Sequence, residues 1–515
     1  MRFFHLCWTT LLLFGCSYIH PDEHFQSLEV LAGRILGLAV DTPWEFSSSK
    51  PARSLTVLYI VYGPLLYLVK NTGAILSPLQ TWYLVKLQNV ILTYLCTYFF
   101  VKTQIPLATD KVKAMNFIWT SYVTLVYQSH CFSNTVETWL VILAVVMLSA
   151  LRHNEKRRPD RRNTFSEEKI MFLLGLLFSV GFFNRITFPC FVILPSYFLV
   201  RRIYKDIKNI LYFVLGLSVL TLTLILIDSY LFGTLSFKKG HLIDITNLTV
   251  TPLNNVLYNS NFDNLASHGY HPYYTHLLVN FPLALGPGIL MILYIRRLEE
   301  WMVVPFMSIL GGVICLSCLP HQELRFIMPV VPFVCSFFSQ IRDEPTKGHG
   351  SYIFRKSLLR GYYFFNVLLA IMMGIFHQGG ILPATQVMSE IYKNDNISFI
   401  WWRTYSPPLW LLGKKAVSFQ RLDNENFVYN NPTANASEIV DTMGRSKDKI
   451  NQLLKYLGEN NRKVFICLPK ASFNLYFNDL KVKKIWEYRY HLDLDHIDWT
   501  NHQSLTPGLC IYELL

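Results

Sequence analysis

Seven stretches of 15 to 20 largely apolar residues recur along this chain: Trp82–Val101, Val136–Leu151, Ile210–Leu226, Leu277–Tyr294, Met302–Leu319, Phe326–Gln340 and Tyr362–Phe376. A helix needs about 20 such residues to cross a bilayer core, and a soluble fold has no use for so many. The chain therefore reads as an all-α polytopic membrane protein. Its charged fraction of 16% agrees, since a typical soluble chain carries about 25%. A further apolar run, Phe3–Tyr18, has one arginine ahead of it and no small-x-small cleavage site, which predicts a retained helix rather than a cleaved signal. Together with shorter runs this predicts about 10 to 12 crossings.

The net charge of +13 is concentrated in short loops, Arg152–Arg162, Arg201–Lys208, Arg296–Arg297 and Arg342–Arg360. Short basic loops mark the cytoplasmic face, so topology accounts for the charge and no nucleic-acid partner is implied. The N-x-[ST] sequons at Asn247, Asn396 and Asn435 must face the lumen to be glycosylated. Counting crossings from the loop at 201–208 puts all three opposite the basic loops. Earlier in the chain the count fails: crossings at 56–69, 82–101, 115–127 and 136–151 would leave the basic loop 152–162 on the wrong side. One of the four is expected to be re-entrant or broken, and the polar run Ser129–Glu137 suggests where. Residues 170–200 and 302–340 read as hairpins turning at Asn184–Thr187 and His321–Arg325, each with an arginine near the luminal face.

Beyond residue 378 the apolar windows stop. The expected organisation is a membrane body over 1–378, its first luminal loop at 19–55, and a small luminal α/β appendage over 379–515. Within it, Ser437–Gly458 reads as a capped amphipathic helix, followed by strand-like KVFICL and GLCIYEL. The ten cysteines lie mostly inside apolar runs, as small buried hydrophobes do. Cys315 and Cys318 have CxxC spacing but no second ligand pair, so neither a zinc site nor a disulfide framework is expected.

The chemistry concentrates at His20-Pro21-Asp22-Glu23. Proline and acids in a first turn, followed by spaced Phe25, Leu28, Leu31 and Ile35, start a helix. Asp22, Gln26 and Glu29 would then form a polar stripe opposite the apolar one. Helix-start burial and the neighbouring histidines His20 and His24 can also tune a carboxylate as a general base, and spacing leaves both readings open. Arg185 and Arg325 supply the complement. Their planar fork suits phosphate, and arginines at a membrane often mark substrate paths, although a salt bridge such as Arg325 with Glu323 would also explain them.

HPDEHFQSLEV with TPWEF (Thr42–Phe46), ARS (Ala52–Ser54), SNTVET (Ser133–Thr138), HGYHPYYTHLLVNFPLALGP (His268–Pro287) and HQELRFIMPVVPF (His321–Phe333) resembles glycosyltransferase family 22, the endoplasmic reticulum mannosyltransferases that use dolichyl-phosphate mannose. The resemblance covers most of residues 17–340. It implies a GT-C fold and, from HPDE with Pro43-Trp44-Glu45-Phe46, an enzyme adding the fourth, α-1,2-linked mannose to the glycosylphosphatidylinositol (GPI) precursor. Family members adding the third mannose of the GPI precursor, or acting on N-glycan precursors, are the alternatives. An inverting displacement needs one base, for which the resemblance implies Asp22 first and Glu23 second. Donor phosphate binding is expected from Arg325 and His321, then Arg53 and Arg185, although Asn184–Thr187 departs from the R-P-T form of the family. His20, Gln26, Glu29, Trp44 and Glu45 are the candidate acceptor or sugar contacts, with an interfacial tryptophan anchor the plain alternative for Trp44. No metal or cofactor is implied, because a monophosphate donor has no pyrophosphate to chelate. The partners are the two lipid substrates and the membrane, with no protein partner indicated. A lipid or solute transporter would share the hydropathy and should show internal repeats, but the two arginine hairpins are not similar in sequence.

Overall fold

The computed structural model describes residues 9–515 apart from 11, 48, 73–75, 157–163, 237–246, 262, 265–268, 296, 342–348, 393–395, 423–436, 460–461, 478–479 and 499. The sequon at Asn435 and most of the first apolar run therefore lie outside the described residues. By its contacts the chain divides into two compact units. Met1–Pro43, Tyr62–Lys86 and Leu369–Leu515 form one, here the α/β unit; Trp44–Val61 and Leu87–Leu368 form the other, the helical unit. The division differs from the one expected at 378/379. In the α/β unit the C-terminal sheet is tied to the N-terminal stretch, for example by the Tyr18 N–H donating to the His377 carbonyl at 3.1 Å.

Among the described residues five helices are long and apolar enough to cross a membrane, Pro78–Gln104, Ser133–Asn154, Lys208–Leu231, Glu300–Ser317 and Ile353–Phe376. They coincide with five of the seven apolar windows. The window at 277–294 is instead a bent pair, His276–Leu285 and Gly288–Tyr294, meeting at 99°. Gly286, at φ +54°, and Pro287 supply the break. The window at 326–340 begins as a tight helix, Leu324–Val330, with Pro329 inside it. Among the described residues up to six spans meet that length and composition, where about 10 to 12 crossings were expected, and the first apolar run lies mostly outside the described residues.

In the helical unit the break expected near 129–137 falls a little earlier. Helix Ala108–Thr120 stops at Ser121, short turns cover Tyr122–Leu125 and Tyr127–Ser129, and a 24-residue helix starts at Ser133. Ser121, Thr124, Gln128, Ser129 and His130 are buried in that break. The 170–200 hairpin has a longer first arm than expected, Thr164–Asn184, and a second arm split into Phe188–Val192 and Tyr197–Lys205. The first arm packs on Lys208–Leu231 with no room for side chains between. A Cβ on Gly175 would sit 2.2 Å from the Phe213 carbonyl, and one on Gly216 2.2 Å from that of Phe172. Small residues permit this approach, and Ser179 fastens it by donating to the Leu217 carbonyl at 2.8 Å.

The α/β unit carries a six-stranded sheet: β1 (Ile397–Trp401), β2 (Ser418–Arg421), β3 (Glu438–Asp441), β4 (Lys463–Pro469), β5 (Val482–Tyr488) and β6 (Leu509–Leu514), in the order β2-β3-β1-β4-β6-β5. β2, β3, β1 and β4 are parallel, and β6 and β5 add an antiparallel edge. KVFICL and GLCIYEL are strands β4 and β6, as their pattern predicts. Ser437–Gly458 is not one helix: its β-branched start becomes the buried strand β3, and the helix runs Lys447–Glu459 with Gly458 inside its last turn. Pairing on both sides outweighs helical propensity there.

Candidate active site

In the α/β unit, Asp22–Leu36 is helical with wide π turns at His24–Leu28 and Ala32–Leu36. The predicted polar stripe assumed 3.6 residues per turn, and the π turns take it apart. Asp22 is 25% exposed and Gln26 half-buried, while Glu29 faces inward. The Glu29 carboxylate accepts the backbone N–H groups of Asp41 at 2.9 Å and of Leu409 at 3.1 Å. Burial pushes it up to about 8 against these donors. It braces the fold rather than lining an open face.

The His20 ring helps to hold the helix start. His20 Nδ1 accepts the Asp22 N–H at 3.2 Å and lies 3.7 Å from Asp22 Oδ1. Glu23, 1% exposed, stands 3.3 Å from His24 Nε2. Burial raises its carboxyl well above the usual range, opposed by the Lys86 ammonium and the Ile19 N–H. His24, between Trp82 and Trp410, accepts the Trp410 indole N–H, and burial lowers it to about 3, so it is neutral. Lys86 is fully buried, donates to the Leu12 and Gly15 carbonyls and sits 4.6 Å from the Trp82 ring centre. Of the two acids in HPDE, one is sealed into packing and one meets solvent.

The helical unit gathers the three arginines. Arg53 Nε donates to Glu45 at 2.8 Å, and Ser133 Oγ receives both Arg53 Nη1 at 3.3 Å and Arg185 Nη1 at 2.8 Å. Arg185 Nε donates to Thr187 at 3.1 Å and lies 3.2 Å from Glu137, and Thr187 in turn donates to Glu137 at 2.6 Å. Arg325 forks onto Glu323, whose other partner is His321 Nε2 at 2.7 Å. The Phe326 ring joins the groups, 5.2 Å from the Arg185 guanidinium and 5.7 Å from that of Arg325. The hydrogen bond to Glu323 raises His321 against the opposing effect of burial, which favours imidazolium. Each arginine thus leans on a glutamate, with neutral oxygens or aromatic faces beside it. A fork fixed in this way is preorganised for an oxyanion.

The loop carrying Arg53 is anchored from a membrane helix. Asp228, fully buried in Lys208–Leu231, accepts the Thr56 N–H at 2.9 Å and the hydroxyls of Thr56 and Thr251. Asn254 and Asn255 hold the Pro51 and Ala52 carbonyls. Sequence reasoning missed Asp228, Glu137 and Ser133. The available cue was an acid inside an apolar window, since such groups are costly unless engaged. Trp44, 40% exposed, lies on Tyr258 with ring centres 4.1 Å apart, and Glu45 is taken up by Arg53. The sequon asparagine Asn247 is exposed, and Asn396 is half-buried just ahead of β1. Cys315 and Cys318 are free thiols. Among the described residues no group of three or more His, Cys, Asp or Glu side chains could hold a metal ion.

A multi-helix membrane body with fixed arginines, joined to a small α/β sheet, is the architecture of a GT-C glycosyltransferase. ArnT from Cupriavidus metallidurans, bound to undecaprenyl phosphate, shares that fold at a TM-score of 0.54 and 10% identity over 99% of this chain and 97% of its own. Its apo form matches at 0.51. The chain belongs to the Alg9-like mannosyltransferase family, whose model matches residues 3–412. It is therefore a glycosyltransferase and not a transporter. It is 41% identical to GPI mannosyltransferase 4 of Debaryomyces hansenii over 98% of this chain and 96% of the relative. The proteins of that name from Candida albicans and Saccharomyces cerevisiae are 40% and 33% identical, over 97% and 98% of this chain and 95% and 96% of their own.

Proposed function

We propose that this protein adds the fourth mannose of the GPI precursor, transferring it from dolichyl-phosphate mannose to the 2-hydroxyl of the third mannose at the luminal face of the endoplasmic reticulum membrane. The observation that carries the proposal is near-full-length similarity to relatives named GPI mannosyltransferase 4. The reaction joins the acceptor O2 to the donor C1 as the C1–O bond to phosphate breaks. Dolichyl phosphate leaves with the bonding electrons, and one displacement inverts the β-linked donor to an α-linked product. Asp22 takes the acceptor proton, since it is the solvent-reaching acid of the pair. Glu23, raised by burial, is a poor base at neutral pH. The charge developing on the leaving phosphate falls to Arg325, Arg185 and Arg53, with His321 as imidazolium, in place of a metal or a protein acid.

Labelled mannose transfer from dolichyl-phosphate mannose to a three-mannose GPI precursor in membranes tests this. The expected outcome is a four-mannose product whose new linkage is cut by an α-1,2-mannosidase. Transfer instead to a two-mannose GPI or to an N-glycan precursor would overturn the acceptor assignment, and glycosidase-insensitive Asn247, Asn396 and Asn435 together with cytosolic protease access to the C-terminal tail would overturn the orientation.

A further inference from the structure

The sheet of the α/β unit has a topological switch point that the proposed reaction does not use. β2 and β3 lie on one side of β1 and β4 on the other. In open α/β sheets, ligands bind outside the carboxyl ends of the strands at such a point. A cavity of about 140 Å³ sits there, lined by Arg403, two residues beyond the end of β1, and by Pro469, the last residue of β4. Its other walls include Tyr476, His491, Asp498, Asn501 and Ser504.

Two buried donors in that lining lack partners among the described residues. His491 is 1% exposed, and its Nδ1 accepts the Gly380 N–H at 3.2 Å. Burial lowers the ring to about 3, so it is neutral with its proton on Nε2, and Nε2 has no partner. Leaving such a donor buried and unmet is destabilising. Arg403 has left-handed backbone, φ +54°, a conformation strained for a residue that bears a side chain. Its N–H donates to the Met443 carbonyl at 2.7 Å, and its guanidinium lies 4.4 Å from the Tyr476 ring centre and 5.0 Å from that of Trp402. Its buried Nε is the second unmet donor. Aromatic faces and a strained backbone fix the direction of this guanidinium, and its Nε meets no acceptor among the described residues.

We infer that this cavity binds one hexose unit of a glycan, apart from the proposed reaction. Hydroxyls both donate and accept, and the lining offers both: the half-buried Arg403 guanidinium as donor, the Asp498 carboxylate, one oxygen of which already accepts from Thr500, as acceptor, and the Asn501 amide and Ser504 hydroxyl as either. A phosphate would meet the carboxylates of Asp493 and Asp498 in the same lining, and a nucleotide would outgrow the volume. The choice of a mannoside as probe rests on the function proposed above; the cavity itself does not.

Saturation-transfer NMR on the purified full chain in nanodiscs, with methyl α-mannoside as probe, tests the inference. His491→Ala removes a buried ring and risks the fold. Arg403→Gln and Asn501→Leu sit on the half-buried wall and are the informative variants, each checked for an unchanged thermal midpoint. Wild type is expected to show transfer from the sugar, weakened about tenfold in affinity by Arg403→Gln, the loss of one charged hydrogen bond. Asp22→Asn is expected to abolish mannose transfer and leave sugar binding intact, which separates this site from the catalytic one. Binding that persists even if wild type transfers no mannose to the GPI precursor supports the inference while the function proposal fails. No saturation transfer in wild type, equal transfer in both wall variants, or inorganic phosphate displacing the sugar would overturn it.

Discussion

Carboxylates and cations are combined in both units, toward opposite ends. In the helical unit Arg53, Arg185 and Arg325 lean on Glu45, Glu137 and Glu323, one acid to each arginine, with Phe326 between two of them. In the α/β unit Glu23 and Glu29 are sealed, with Lys86 acting on the first and backbone N–H groups on the second. Of the acids in that stretch, Asp22 is the one that reaches solvent. The two patterns show that neither residue type nor burial separately identifies a chemical role. A guanidinium held by one acid keeps further N–H donors for a ligand, whereas a buried carboxylate fully engaged by its own fold is structural, and removing its partner is costly.

The comparison breaks first on the two acids of HPDE. Asp22→Asn is expected to reduce labelled mannose transfer about 10²–10⁴-fold, with unchanged protein in the membrane and an unchanged thermal midpoint. Glu23→Gln should instead lower the midpoint, and a result with the two effects exchanged would reverse their roles. Next in size, Arg325→Ala and Arg185→Ala should each lower kcat about 10²–10³-fold, as loss of one oxyanion donor does. Arg185→Lys should recover little of this, because a point charge cannot span Ser133 and Glu137 together. Asp228→Ala leaves the Thr56 N–H and hydroxyl unmet and should cost about 1–3 kcal/mol by denaturant titration, with Asp228→Asn restoring part of it.

The smallest effect is a pH dependence. Glu29 is raised in the folded chain to about 8, above the usual glutamate value near 4.3, so the folded state binds the extra proton. Its stabilising contribution is fully present below that ordinary value and is lost as pH rises through about 8. The thermal midpoint of wild type should therefore fall across this window more steeply than that of Glu29→Gln. Parallel curves would return Glu29 to the ionised state.

What was legible in the sequence follows from the range of each interaction. Apolar windows report long helices, and β-branched runs such as KVFICL report strands, because both depend on near neighbours. HQELR and HPDE flagged chemistry because arginine and acid beside apolar segments are costly. Asp228 was hidden because its partners, Thr56 and Thr251, are set by tertiary approach. Glu29 was misread because a stripe at i, i+4 and i+7 presumes a regular helix, and β3 because pairing on both flanks cannot be read from EIVD. The two-unit division was invisible for the same reason: Tyr18 meets His377 only in the fold.

The wide turns at His24–Leu28 and Ala32–Leu36 also bear on how this stretch tolerates change in length. A π turn holds one residue more than an α turn, so each behaves as an accommodated insertion, and losing it would rotate everything downstream by about 100°. Deleting Gln26 would leave Asp22, Glu23 and Glu29 in the chain and still swing Glu29 away from the Leu409 and Asp41 amides. The spacing between Asp22 and Glu29 is therefore as much a part of the motif as the letters themselves.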